Sequence, residues 1–182
     1  MQHIKLLKKI FTVLLYTISI VVLVFAKLNF NNFVPKISTY IDILMLFFVI
    51  MIMRGRSGKI VWFAFCIYFI IDILDSQTFG IELSVGVFSV LGVFWFFEEI
   101  FTNLSIWTAG ILTLFGMSVF KLLYCIVSIA TTFMTHTGSI ISVGLIRQFA
   151  IEIIVTSIVS VPLYAVLMKV GNMITREKIR YS

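Results

Sequence analysis

The chain has 182 residues, of which 61% are hydrophobic and only 12% charged, with a formal net charge of +6 and a mean hydropathy of +1.15. Soluble domains carry about twice that share of charged residues, so a soluble globular fold is excluded for want of polar groups to cover its surface. Disorder is excluded for the opposite reason, since it requires low hydrophobicity.

Six apolar runs follow in chain order: Ile10–Leu28, Ile37–Met53, Lys59–Asp75, Ile81–Phe101, Ile106–Ala130 and Arg147–Gly171. Segments such as Leu44–Met53 are apolar at every position and not at every second one, which excludes a transmembrane barrel strand. In lipid such a run satisfies its backbone only as a helix. The expectation is an all-α integral membrane protein, a single domain over residues 1–182 forming a six-transmembrane-helix bundle.

Lys5, Lys8 and Lys9 precede the first run as in a secretory signal. The run is longer than a typical signal core, however, and Val24-Phe25-Ala26-Lys27 matches a small-x-small cleavage site poorly. It is read as an uncleaved helix. The second and third runs reach about 26 Å, slightly short of a hydrocarbon core of about 30 Å. Lys36, Arg54, Arg56 and Lys59 at their ends can snorkel to the headgroups. In the fourth run Gly86, Ser89 and Gly92 recur every three residues, and the fifth contains Gly110 and Gly116. These small residues are expected to pack helices closely, inside the bundle or against a partner's transmembrane helix. The stretch Thr131–Ile146 is too polar to span and is expected to lie along the outer interface or to re-enter.

Ten Lys and Arg fall at the N-terminus, in the loop between the second and third runs and at the C-terminus, against three (Lys27, Lys36 and Arg147) on the opposite side. Basic residues collect on the cytoplasmic side, which predicts that both termini are cytoplasmic. The positive charge is thus a topology signal. A nucleic-acid partner is not expected, because the basic residues flank helices instead of forming one face. Cys66 and Cys125 lie at different depths and read as small packing residues, too far apart for a disulfide.

Reactive signatures are missing. The histidines are His3 and His136, both outside the apolar runs, and metal chemistry wants clusters of such ligands. Glu98-Glu99 is similar to the paired glutamates of intramembrane CAAX proteases, but Asn103 stands where that family has arginine and no helix carries a histidine. Arg54–Lys59 ends in Gly-Lys like a phosphate loop, yet Met53 and Ile60 occupy its glycine and Ser/Thr positions. No catalytic residue, cofactor or metal is expected.

The informative residues are ionisable groups within the bilayer, which are costly unless they face the bundle interior or water. Asp42, Asp72, Lys121 and Glu152 come from four different runs, yet all fall in the outer leaflet. Lys121 shares a helical stripe with Ser118, Cys125 and Ser128, and Glu152 shares one with Thr156 and Ser160. The expectation is a Lys121–Glu152 ion pair, with Asp42 and Asp72 near the same outward-facing polar pocket. That pocket either fixes helix register or receives a partner or a solute.

The stretch Tyr40–Phe94 resembles the bacterial rod shape-determining MreD family. The resemblance is carried by Ile71-Asp72-Ile73-Leu74-Asp75-Ser76-Gln77-Thr78-Phe79-Gly80, in which Asp72 and Gly80 take the family's Asp and Gly positions at the same spacing. Val161-Pro162-Leu163-Tyr164 and the basic tail also look like the family's last helix. Lys121 matches no hallmark of the family. The resemblance implies a non-enzymatic scaffold subunit of the cell-elongation machinery in the bacterial cytoplasmic (inner) membrane. It implies binding to an MreC-like bitopic protein, with indirect links to a RodA-like glycosyltransferase, a class B penicillin-binding protein and an MreB-like filament. It also implies that an Asp72–Gly80 turn fixes the outer ends of the third and fourth helices. The alternative is the substrate-binding membrane component of an energy-coupling factor vitamin transporter, which would carry a closed pocket lined by Trp, Tyr, Asn and charges. Trp62, Trp95 and Trp107 lie instead toward cytoplasmic helix ends, as an aromatic belt does.

Overall fold

The structure, a computed structural model, describes residues 17–29, 40–55, 58–74, 80–101, 105–135 and 143–180. Lys5, Lys8, Lys9, Lys36, Arg56, Asp75, Asn103, His3 and His136, together with the starts of the first two runs, lie outside the described residues. Among the described residues the fold is all-helical, with six helices and no strand. They are α1 (Thr17–Asn29), α2 (Ile43–Gly55), α3 (Lys59–Leu74), α4 (Ile81–Ile100), α5 (Ile106–Thr135) and α6 (Val143–Arg180). Three of them, α4, α5 and α6, are long and apolar enough to cross a membrane.

The core is organised around α2. Its sequence ILMLFFVIMIMRG is apolar over its first eleven residues, and a helix apolar all round has no face suited to water. It packs against α3, α4, α5 and α6, and Met45, Phe48, Val49 and Ile52 are fully buried. On α3 the buried positions Ile60, Ala64, Ile67, Tyr68 and Ile71 recur at the three-and-four spacing of one helical face, while Trp62, Phe65, Phe69 and Ile73 point outward. Helix α1 contributes Val24 to the same core.

The small residues divide. A Cβ on Gly86 would come within 2.6 Å of the Tyr68 ring, one on Gly116 within 2.5 Å of Val93, and one on Gly110 within 2.9 Å of Val161. These three glycines are close-approach points for α3–α4, α4–α5 and α5–α6. Ser89 is fully buried, its hydroxyl donating to the Val85 carbonyl at 2.7 Å. Gly92 departs from the expected packing ridge, since a Cβ there would meet nothing within 4 Å. A strict three-residue repeat drifts around a helix of 3.6 residues per turn, and by Gly92 it has left the packed face.

Helix boundaries differ from the apolar runs where polar side chains decide them. The second run was expected to be helical from Ile37, and the helix starts at Ile43 because Asp42 caps it. Asp42 Oδ1 accepts the N–H of Leu44 at 2.9 Å and of Met45 at 3.2 Å, the local bonding that makes aspartate better at a helix start than inside one. The fifth run was expected to end at Ala130, with Thr131–Ile146 lying along the interface or re-entering. The helix α5 continues to Thr135 and α6 already begins at Val143, so both ends of that stretch are helical, while residues 136–142 lie outside the described residues. Thr131 and Thr132 fold their hydroxyls back onto the Ser128 carbonyl at 3.0 and 2.8 Å, so their polarity is met within the helix.

Candidate functional site

Two polar constructions occupy the same end of the bundle. The first joins α3 to α4. Gly80 precedes α4 with φ +98°, a left-handed conformation that glycine adopts without a Cβ clash. The Asp72 carboxylate accepts the Gly80 N–H through Oδ2. Asp72 is itself buried. This places a carboxylate at the start of α4, where the helix dipole favours negative charge. Ser84 adds a hydroxyl bond to the Gly80 carbonyl at 2.7 Å.

The second is a cavity of about 290 Å³ whose wall includes Lys27, Asp42, Tyr68, Glu82, Lys121 and Glu152. It is drawn from the second halves of α1, α3 and α5 and from the starting portions of α2, α4 and α6. Lys121 Nζ lies 2.7 Å from Glu152 Oε2, both side chains being 14% exposed. The ammonium also sits 4.6 Å above the Phe149 ring centroid and 5.5 Å from that of Phe120, so the charge is held by an ion pair and by aromatic faces. Lys27 Nζ approaches Asp42 Oδ1 at 3.9 Å.

Asp42 reaches the cavity through α6. The Thr156 hydroxyl donates to the Tyr40 carbonyl at 3.2 Å and accepts the Asp42 N–H at 3.3 Å. The polar stripe of α6 thereby clamps the chain as it enters α2. Thr156 and Ser160 are buried, and the Ser160 hydroxyl donates to Ser157 O at 2.7 Å.

The structure therefore brings together Lys121, Glu152 and Asp42. Asp72 is not in the cavity wall: it bonds Gly80 instead, because its position two residues before the end of α3 directs it to the start of the next helix. Sequence reasoning placed Lys27 as a flanking charge and passed over Tyr68 and Glu82. Glu82 is in the first turn of α4, next to the Gly80 already singled out. Tyr68 carries a signal visible in the sequence, a lone hydroxyl on the apolar face of α3. Its ring stacks on Phe48 at 5.8 Å, and its hydroxyl has no hydrogen-bond partner among the described residues. A buried polar group left so costs about 1–3 kcal/mol.

Among the described residues no group of His, Cys, Asp and Glu is placed to hold a metal ion. Cys66 and Cys125 are both free. Comparison with protein-family models, with curated proteins and with solved structures finds no match to this chain.

Proposed function

We propose that the chain is a non-enzymatic, MreD-like scaffold of the bacterial cell-elongation machinery. In this reading it sits in the cytoplasmic membrane as a six-span bundle with both termini cytoplasmic, and it binds an MreC-like bitopic protein. The observation that carries the reading is the Asp72–Gly80 clamp. The two residues through which the chain resembles the family meet in one turn, with the glycine in the conformation that only glycine adopts easily. Two further features support it. The cavity wall alternates between second halves and starting portions of successive helices, as expected if each helix reverses the direction of the one before. Trp62, Trp95 and Trp107 all point outward at the helix ends away from the cavity, the position of an interfacial belt.

The scaffold acts by presenting fixed helix ends and outward apolar faces to partner helices. Its basic hairpin and tail meet anionic headgroups at about 1 kcal/mol per basic residue near the surface. The test is co-isolation in mild detergent. Asp72→Ala is expected to lower recovery of an MreC-like partner while the protein still inserts, and Asp72→Asn, which keeps an acceptor for Gly80, to restore it. Unchanged recovery with Asp72→Ala overturns the reading.

The cavity is the observation that favours the vitamin-transporter alternative. Its wall contains Tyr68, Tyr124 and five charged residues but neither Trp nor Asn, and its volume is at the low end of ligand sites, which run from about 300 to 1,000 Å³. Tight binding of a vitamin to the purified protein would decide for that alternative.

A further inference from the structure

The cavity wall holds polar atoms that its own ion pairs do not use. Tyr68 is 2% exposed and lines the cavity. Its ring is closed off by Phe48 and by Gly86, where any side chain would collide with it. Its hydroxyl has no hydrogen-bond partner among the described residues. Buried hydroxyls are almost always bonded, so the partner of this one comes from the cavity. Asp42 supplies a second such atom. Its bonds to Leu44 and Met45 and its approach to Lys27 all fall on Oδ1, and Oδ2 takes part in no bond among the described residues. Gln148 also lines the cavity. It is exposed, and its amide makes no hydrogen bond among the described residues.

The charges, in contrast, are already answered. Lys121 pairs with Glu152 at 2.7 Å and Lys27 with Asp42 at 3.9 Å, and Glu82 has an interaction of its own. A charged ligand would draw one of these ions from its partner and leave the other uncompensated in a low-dielectric setting. The ligand that suits the wall is therefore uncharged. It has to donate to Asp42, because a carboxylate oxygen only accepts, and it can both donate and accept at the Tyr68 hydroxyl and the Gln148 amide. A hydroxyl does both. Among the described residues the acidic side chains do not gather at one point, so the ligand spreads several hydroxyls over a frame of its own. Phe120, Tyr124 and Phe149 supply apolar wall suited to the C–H faces of a saturated ring. A volume of about 290 Å³ admits one such ring.

We infer that the cavity binds a neutral hexose, either as the free sugar or as the headgroup of a glycosyl diacylglycerol. One sugar hydroxyl donates to Asp42 Oδ2, a second bonds the Tyr68 hydroxyl and a third the Gln148 amide, while both ion pairs stay intact. This site goes beyond the scaffold reading and does not depend on it.

The test uses the full-length protein in a polyoxyethylene detergent, which carries no sugar. It is challenged with an equimolar mixture of monoglucosyl diacylglycerol, monogalactosyl diacylglycerol, diacylglycerol and phosphatidylglycerol, and retention is read by native mass spectrometry. The expected result is retention of at least one glycosyl lipid in preference to both sugar-free lipids. Tyr68→Phe, which keeps the ring, and Gln148→Leu, at an exposed position, are each expected to weaken that retention by about tenfold while thermal unfolding shows the variants still folded. Competition by the matching free hexose supports a site that needs only the sugar. Selectivity without such competition supports a site that needs the whole lipid. Retention of neither glycosyl lipid above diacylglycerol overturns the inference, and so does stronger retention of phosphatidylglycerol, the result if the cavity selects an anion. Unchanged retention by Tyr68→Phe also overturns it, since water alone would then satisfy the hydroxyl.

Discussion

Lys121 and Glu152 show how a buried charge is made tolerable. Neither ion is stable alone in a low-dielectric setting, and removing one partner of a buried pair costs about 3–5 kcal/mol because the other is left uncompensated. Replacing both with apolar groups removes that penalty. Lys121→Met and Glu152→Met are thus each expected to lower stability by about 3–5 kcal/mol, and the double variant to recover most of the loss. Thermal unfolding of the four proteins in detergent checks this, and additive losses in the double variant would show that the two residues act separately. The pair was legible in the sequence because charge inside an apolar run has few acceptable fates, and two opposite charges at similar depth on different helices can satisfy each other. Asp72 was legible for its turn but not for its direction. Its bond to Gly80 depends on the three-dimensional course of the α3–α4 connection, which composition does not encode. Tyr68 escaped notice because a tyrosine among nineteen phenylalanines and other apolar residues looks like packing until its hydroxyl is found without a partner.

Among the elements, existence was easy to read and ends were not. α3 and α4 stop within one residue of the apolar runs because the hydrophobic pattern itself stops there. α2 and α5 do not, because polar side chains act at their ends: Asp42 starts α2 late, and Thr131 and Thr132 meet their own polarity inside α5 by bonding back to Ser128. The glycines make the same point about packing. Gly86 and Gly92 stand six residues apart on α4, and only Gly86 is pressed by a neighbour, the Tyr68 ring. Gly86→Ala is expected to cost about 1–3 kcal/mol through overpacking. Gly92→Ala meets open space and is expected to be neutral or to stabilise by up to about 1 kcal/mol through helix propensity. Equal effects of the two substitutions on thermal unfolding would contradict this division.

For the molecule as a whole, hydropathy predicts helices and the distribution of lysine and arginine predicts an orientation, two independent signals. If the proposed topology holds, single cysteines introduced at Gly58 and Lys169 in a protein lacking Cys66 and Cys125 are protected from an impermeant maleimide in intact cells and react after permeabilisation. A cysteine at Lys27 reacts from outside. Labelling of positions 27 and 58 from the same face would refute the alternating arrangement.

The central position of α2 has a mechanical result. At 13 residues it is about 20 Å long, while its neighbours α5 and α6 have 30 and 38 residues. A short post among tall walls leaves a well above it, and Asp42 at the top of the post becomes the floor of that well. A loop insertion that lengthened the post by one turn, about 5.4 Å, would raise that floor and fill the well without disturbing the outer surface. The depth at which polar material can enter the protein is thus governed by where one aspartate tells one helix to begin.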